Sequence, residues 1–143
     1  MRSLHGASGV LVLLCCIAAI GVPVKFSTID RGQQSNIDDA REVTARTATE
    51  WTALWKQHAG DRPRPAVDFS TSTVMGVFLG SRPTGGYDVE ITGIEKEGSD
   101  LIVTWREQRP AKDAMLSQVL TMPFHLVSIP RHTGAVKFKK AAS

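Results

Sequence analysis

The sequence predicts an α+β fold in which one N-terminal helix packs on a predominantly antiparallel β-sheet, arranged as a sandwich or a half-open barrel. One stretch, 47–59, has the spacing of an amphipathic helix. From residue 67 onward the apolar residues alternate or form short runs, in about six segments separated by turns that contain Gly or Pro. A single helix followed by a series of strands is typical of an α+β domain. With 143 residues, the chain is long enough for one domain with its own core.

The predicted helix has a start signal, an apolar face and a stop signal. Thr47 followed by Glu50 fits a capping box, in which each side chain accepts a hydrogen bond from a backbone N–H of the first turn. One helical face carries Trp51, Leu54, Trp55 and His58. A helix this short is not stable alone in water, so we expect the tryptophans to anchor it in the core, with His58 at the boundary of the buried face. Gly60 provides the stop.

The clearest strands form a hairpin. Residues 87–96 and 101–108 alternate apolar and polar side chains on either side of a polar turn, and Gly93 interrupts the first strand as a candidate bulge. Further strands are predicted at 74–79, 116–122, 124–129 and 136–138. Alternation places His125 on the face opposite its two apolar neighbours, which we expect to be exposed to water.

The start of the chain has the features of an export segment. Arg2 is the only charged residue before Lys25, and the apolar run Val10–Val22 lies between them. This combination predicts a signal peptide at 1–22 that is either removed or retained as a membrane anchor, and therefore an extracytoplasmic location.

The rest of the chain divides by composition. Polar residues without clear periodicity predict a flexible tether over 23–40. The β-rich domain is expected over 41–138, and a disordered tail over 139–143.

Charge and cysteine content narrow the possible partners. The net charge is +3, from 17 basic and 14 acidic residues that are scattered along the chain, so a contiguous nucleic-acid-binding face is not expected. Both cysteines, Cys15 and Cys16, lie in the export segment, and a chain that loses this segment has neither a disulfide nor a thiol. Packing must then stabilise the domain.

Motifs of catalysis and metal binding are missing from the sequence. It contains no G-x-S-x-G elbow, no phosphate-binding loop, no G-x-G-x-x-G and no H-E-x-x-H. His58, His125 and His132 are not spaced as metal ligands. We therefore expect a protein that is not an enzyme and that needs no cofactor or metal, with a weak enzyme or small-ligand binder as the remaining alternative.

The segment 81–87 is the strongest candidate for a binding site. It lies between two predicted strands and contains Arg82, Pro83, Thr84, Gly85, Gly86 and Tyr87. Glycine and proline shape a stiff connection, while arginine and tyrosine are enriched at protein interfaces. The sequence predicts that this loop contacts a protein partner. The alternative is a tight connection whose glycines serve the backbone geometry alone.

Several of these segments resemble one known family. The strings at 67–70, 74–80, 82–87 and 89–91, followed by 119–121, 123–125 and Ile129-Pro130, are similar to the C-terminal domain of the protease complex subunit PrcB family. The helix with Trp51 and Trp55 resembles that family's usual lead-in, so the resemblance spans about residues 41–131. It implies an exported accessory subunit that associates with a surface protease and supports its assembly or stability.

A second, looser resemblance implies inhibition instead. The string Arg82–Tyr87 is similar to the Asn-Pro-Thr-Thr-Gly-Tyr loop of chagasin-type cysteine peptidase inhibitors. Here Arg82 replaces the asparagine, Gly85 the second threonine, and Val89 stands where a tryptophan is usual. The third loop of those inhibitors, Arg-Pro-Trp, is present only as the fragment at 109–111. A peptidase inhibitor that uses the 81–87 loop is therefore the alternative function.

Overall fold

A computed structural model of the chain describes residues 20–142. These residues form β1 (Val22–Pro23), β2 (Ser27–Gly32), β3 (Arg41–Ala45), α1 (Ala48–Ala59), β4 (Ser72–Phe78), β5 (Asp88–Glu97), β6 (Asp100–Gln108), β7 (Phe124–Pro130) and β8 (Val136–Lys140). No helix among the described residues is long and apolar enough to cross a bilayer. The expected export segment at 1–22 lies almost entirely outside the described residues.

The strands form two four-stranded sheets. Sheet 1 has the order β1-β5-β6-β8, and sheet 2 has the order β2-β7-β4-β3. All neighbouring strands are antiparallel except β6 and β8, which run parallel. One helix and mostly antiparallel sheets confirm the predicted α+β class.

The helix is held as the sequence predicts. The Glu50 N–H donates to Thr47 Oγ1 at 3.2 Å, and Gly60 caps the C-terminus with φ of +59°. Trp51 and Trp55 are buried, and their indole N–H groups donate to the carbonyls of Pro65 and Arg62. The cap differs in one detail, because the Glu50 carboxylate accepts from the Arg46 N–H and not from Thr47.

Sheet 2 is buried on both faces. On one face, Val74, Phe78, Phe124 and Leu126 pack with the helix, in the same cluster as the two tryptophans. On the other face, Met75, Val77, Val127 and Ile129 pack with residues of β5 and β6 in sheet 1. Strands covered on both sides have continuous apolar sequences, which explains why 74–79 and 124–129 do not alternate.

The predicted exposure of His125 is therefore wrong. The face of β7 opposite Phe124 and Leu126 meets sheet 1 instead of water, and His125 is buried there. Its Nε2 lies 2.8 Å from Thr28 Oγ1, and its Nδ1 accepts a hydrogen bond from the Ile91 N–H at 2.9 Å. A strand residue of sheet 2 thus satisfies a backbone donor of sheet 1.

Two further hydrogen bonds, one from a side chain and one from the backbone, are made to the same edge of β5. Arg31 Nε donates to the Val89 carbonyl at 3.1 Å, and the Val24 N–H donates to the Ile94 carbonyl at 2.8 Å. Strand β1 pairs with only Lys96 and Glu95 of this edge. Bonds from β2, β7 and the segment before β2 therefore occupy backbone groups that an edge strand would otherwise expose.

The hairpin prediction is confirmed, and its bulge lies where the glycine indicated. Strands β5 and β6 pair from Asp88↔Gln108 to Glu97↔Asp100, with a register shift between Ile91 and Gly93. The strands predicted at 74–79, 124–129 and 136–138 are also present, as β4, β7 and β8.

Three other predictions are wrong. The tether expected at 23–40 contains β2, whose residues pair with β7, and the buried residue Ile37. The tail expected at 139–143 includes the end of β8, and the Ala141 N–H donates to the Trp105 carbonyl. The segment 116–122 forms no strand and has only two isolated bridges, of Thr121 to Arg82 and of Met122 to Gln34. Polar composition hid the first two elements, because edge strands need few apolar residues.

The position of His125 predicts that the fold loses stability in acid. Burial, followed by the charge of Arg31, lowers the pKa of His125 from 6.5 to about 4, with Glu90 and Asp88 opposing the shift. The unfolded chain binds the proton first, so this contribution is complete above pH 6.5 and is lost as the pH falls toward 4. We expect a loss of about 3 kcal/mol over this window, measured by urea unfolding at pH 7, 6, 5 and 4.5.

The matched control is His125→Asn, which keeps an acceptor for the Ile91 N–H but does not titrate. Its free energy of unfolding should depend less steeply on pH than that of the wild type. A remaining slope is expected from His58, because burial lowers its pKa against the opposing effect of Asp30. Equal slopes in both proteins would contradict the assignment.

Candidate functional site

The 81–87 loop leaves the end of β4 and is bonded along its length to the segment before β7. The Arg82 N–H donates to the Thr121 carbonyl at 2.7 Å, and the Thr121 N–H donates to the Arg82 carbonyl at 2.9 Å. Thr121 Oγ1 donates to the Thr84 carbonyl at 2.9 Å, and the Gly85 N–H donates to the Ser117 carbonyl at 2.9 Å. The two loops therefore form one unit.

Arg82 is engaged by its own domain. Its Nε lies 2.9 Å from Glu107 Oε1, and its Nη1 donates to the carbonyls of Leu79 and Ser81 at 3.0 and 3.1 Å. The guanidinium carbon also lies 5.8 Å from the ring centroid of Tyr87. The sequence predicts that Arg82 and Tyr87 are offered to a partner, whereas the structure gives both side chains contacts within the domain.

Glu107 is the centre of this arrangement. Its side chain is 1% exposed, and its Oε2 lies 3.0 Å from Lys140 Nζ and 3.8 Å from Arg109 Nη2. Burial favours a raised pKa for Glu107, but hydrogen bonds from Arg82 and Lys140 outweigh burial and hold the pKa below its ordinary value. Glu107 is thus a buried anion that fixes three cations at one end of the sheets.

The sequence carries a signal for Glu107, although Glu107 is not among the predicted site residues. Leu101 and Val103 lie on the buried face of β6. Every second residue of a strand lies on the same face, so residues 105 and 107 follow them on that face. An acidic residue on the core face of a strand requires a cation nearby. Arg82 and Lys140 supply it, but their sequence separation from Glu107 gives no hint of the pairing.

A cleft of about 220 Å³ lies beside this cluster. It separates β3 from β6 and β8, and its polar lining consists of Arg41, Glu42, Arg82, Trp105 and Lys140. The Trp105 indole N–H donates to Glu42 Oε2 at 2.8 Å, and Lys140 Nζ lies 5.3 Å from the indole centroid. The other polar groups of this cleft pair with residues outside it, since Arg82 and Lys140 bind Glu107 and Arg41 binds Asp39.

The segment that accompanies the 81–87 loop exposes apolar side chains. Met115 is fully exposed, and Val119 and Leu120 are 57% and 56% exposed. We call residues 81–87 and 109–121 together the two-loop surface. Exposed apolar side chains next to polar ones are typical of protein-binding sites. The sequence prediction of a strand at 116–122 concealed this feature.

Glycine allows the two loops to approach closely. Gly86 has φ of +88°, and a Cβ at this position would lie 2.8 Å from Pro110 Cβ and 2.9 Å from Leu116 Cδ2. Both the backbone conformation and the space therefore require glycine. Pro83 is exposed at the tip, whereas Thr84 and Gly85 are half-buried.

A second polar cluster resembles a catalytic arrangement but is closed to solvent. His58 Nδ1 lies 2.8 Å from Ser35 Oγ, and His58 Nε2 lies 3.1 Å from Asp30 Oδ2. His58 is 0% and Ser35 1% exposed, so His58 is not at a boundary as predicted. Aromatic rings pack around it, and Ser35 Oγ also accepts from the Ile37 N–H. This cluster fastens residues 30–37 to the helix.

Metal binding has no clear candidate in the described part of the chain. Among residues 20–142, no group of three or more His, Cys, Asp or Glu side chains is placed to hold a metal ion.

Comparison with known protein families gives a match to part of the chain. The family model described as PrcB C-terminal matches residues 73–130, which is less than half of the chain. The matched region extends from β4 through β7 and includes the whole two-loop surface. Neither the curated proteins nor the solved structures include a match to the chain.

Gly86→Ala tests the packing of the two loops. The control is Gly98→Ala, because Gly98 has φ of +61° but no atom within 4 Å of an added Cβ. Gly98→Ala should lower the free energy of unfolding by about 1 kcal/mol through backbone strain alone. Gly86→Ala should cost about 1–3 kcal/mol more because of overpacking, and it should speed amide exchange at 109–120. Equal costs, with unchanged exchange at 109–120, would show that the loops are not packed as described.

Proposed function

We propose that the protein is an exported accessory subunit that binds a cell-envelope protease and does not itself catalyse a reaction. The match of residues 73–130 to the PrcB C-terminal family model supports the protease-associated role. The partner is a protein, and the location is extracytoplasmic. The apolar run at 10–22 after a basic start supports export. Nucleic acid is not a partner in this proposal.

The exposed apolar side chains of the two-loop surface carry the proposal. Met115, Val119 and Leu120 lie on a segment without regular secondary structure, held in place by bonds to the 81–87 loop. A fixed loop loses little conformational entropy when it binds, so its apolar side chains contribute more of their transfer free energy to affinity. Arg109, Lys112 and Asp113 are exposed on the same segment, and its two cations against one carboxylate favour a partner with acidic groups around an apolar centre.

The predicted site residues have two different roles in this proposal. Pro83 and Thr84 contact the partner at the loop tip, beside the apolar side chains. Arg82 and Tyr87 position the loop through Glu107, and Gly85 and Gly86 allow the close approach of the two segments. Substitution of Arg82 should therefore weaken binding through misplacement of the loops.

Two observations favour a binding module over the other functions. In the cluster of Ser35, His58 and Asp30, the serine and the histidine are buried, so a substrate has no access to the serine hydroxyl. An inhibitory loop that enters an active-site cleft must project from its domain. The 81–87 loop does not project alone, because it is hydrogen-bonded to 117–121. These observations favour the accessory role over an enzyme or an inhibitor.

Capture from the native cell envelope tests the proposal. A tagged full-length chain, cross-linked before extraction, should recover a protease. The double variant Val119→Asp/Leu120→Asp should reduce that recovery about tenfold, because each buried apolar contact is replaced by a charge. The control Thr52→Asp/Ala53→Asp introduces the same two charges at exposed positions of α1, outside the two-loop surface, and it should recover the protease like the wild type.

The activity of the recovered protease separates the two functions. An accessory subunit should preserve or extend protease activity over time, and its removal should shorten the half-life of that activity. A stoichiometric loss of peptide hydrolysis on adding the purified chain would instead support the inhibitor. Recovery of no protease, or equal recovery by the Val119→Asp/Leu120→Asp variant, would count against the proposal.

A further inference from the structure

A second cleft lies at the opposite end of the strands from the two-loop surface. It has a volume of about 390 Å³ and lies between the β1–β5 end of sheet 1 and the end of β7. Val24, Leu101 and Ile129 contribute an apolar floor, and Lys25, Lys96 and Arg131 contribute cationic groups. This volume is within the range of small-ligand sites, about 300–1,000 Å³, and near its lower end.

The charge of this cleft is of one sign. No Asp or Glu lines it. Among residues 20–142, Lys25, Lys96 and Arg131 form no ion pair, whereas the nearby Lys137 is paired with Asp100. Three cations around an apolar floor create a positive potential that attracts an anion.

Of the three cations that line the cleft, Lys96 has a position that the strand register defines. In β5, Ile94 is buried in the core between the sheets, and Lys96 is two residues further along the same strand. Its partner in the register is Leu101, which is buried in the same core. Lys96 therefore lies on the same side of the sheet as the core, but near the end of the strand, where its side chain is exposed.

We propose that this cleft binds the C-terminus of a polypeptide that ends in an aliphatic residue. The terminal carboxylate pairs with Lys96 and Arg131, and the last side chain packs on Leu101 and Ile129. An inorganic anion would leave the apolar floor uncovered, and an uncharged peptide would leave the cations unpaired. The C-terminus of a polypeptide pairs with the cations and also covers the apolar floor. Capture of a terminal carboxylate is a known mode of peptide recognition.

A purely structural role for Lys96 makes a different prediction. Inward-pointing charges discourage the edge-to-edge pairing of sheets, and β1 protects only two residues of this edge. In that case the cleft has no preference for a carboxylate. The two explanations are therefore distinguished by the ligand's terminal group.

Fluorescence polarisation of the full chain with labelled hexapeptides tests the site. A peptide that ends in two leucines with a free carboxylate should bind with a Kd on the order of 10 μM. The same peptide with a terminal amide should bind at least about tenfold more weakly, as should the acid peptide at high salt. Lys96→Glu/Arg131→Glu should abolish binding of the acid peptide. The control Lys56→Glu/Lys139→Glu changes the same net charge at exposed positions outside the cleft and should bind normally.

Each other outcome overturns the proposal. Equal binding of acid and amide peptides, or unchanged binding by Lys96→Glu/Arg131→Glu with an unchanged thermal melt, removes the carboxylate site. Binding of decanoate without binding of the acid peptide reassigns the cleft to free aliphatic acids. Binding of neither ligand leaves Lys96 with the structural role alone.

Discussion

The pairing of β4 with β7 is the constraint on which the rest of the structure depends. These strands are the centre of sheet 2, and each is covered by the helix on one face and by sheet 1 on the other. Their register runs from Ser72↔Pro130 to Phe78↔Phe124. Because they are antiparallel, the segment that leaves β4 and the segment that enters β7 emerge side by side. The Leu79 N–H donates to the Pro123 carbonyl, and the bonds between Arg82 and Thr121 continue the same ladder into the loops.

The two-loop surface is therefore a product of strand register, although neither loop is a strand. A one-residue slip of β4 against β7 would turn the side chains of one strand to the opposite face. Because the two faces pack against different partners, the apolar residues on each face fix the register. Fixed register brings Thr121 opposite Arg82, and Arg82 then reaches Glu107 on sheet 1. The ion pair joins the two sheets at the end where the loops lie. A buried ion pair of this kind contributes more to the arrangement of the loops than to net stability, since desolvation offsets much of the attraction.

The sequence predicted the elements whose signals are local. The helix with its Thr47 cap, the β5–β6 hairpin and the Gly93 bulge each follow from residues close together in the chain. The failures share a different cause. Residues 27–32 are polar because β2 lies at the edge of its sheet, and their pairing with β7 is about a hundred residues away in the chain. His125 was misplaced because alternation identifies two faces of a strand but not what covers the second face.

The candidate site shows the same division between local and distant information. The glycines of the 81–87 loop indicated a tight turn correctly, since Gly86 has positive φ. The destination of Arg82 was invisible, because Glu107 and Lys140 are distant in sequence. An arginine in a rigid loop is equally consistent with an external partner and with an internal carboxylate. The core-facing position of Glu107 on β6 distinguishes the two possibilities, because a buried carboxylate must be paired with a cation.

The two-loop surface and the cleft lined by Lys25, Lys96 and Arg131 lie at opposite ends of the central strands. Strand β4 has seven residues, so at a rise of about 3.3 Å per residue the two ends lie roughly 20 Å apart. Ligands at the two ends do not compete for space. Coupling between them would have to pass through β4 and β7, which are closely packed on both faces. Under the two proposals made above, the domain would hold two partners independently and would act by bringing them together.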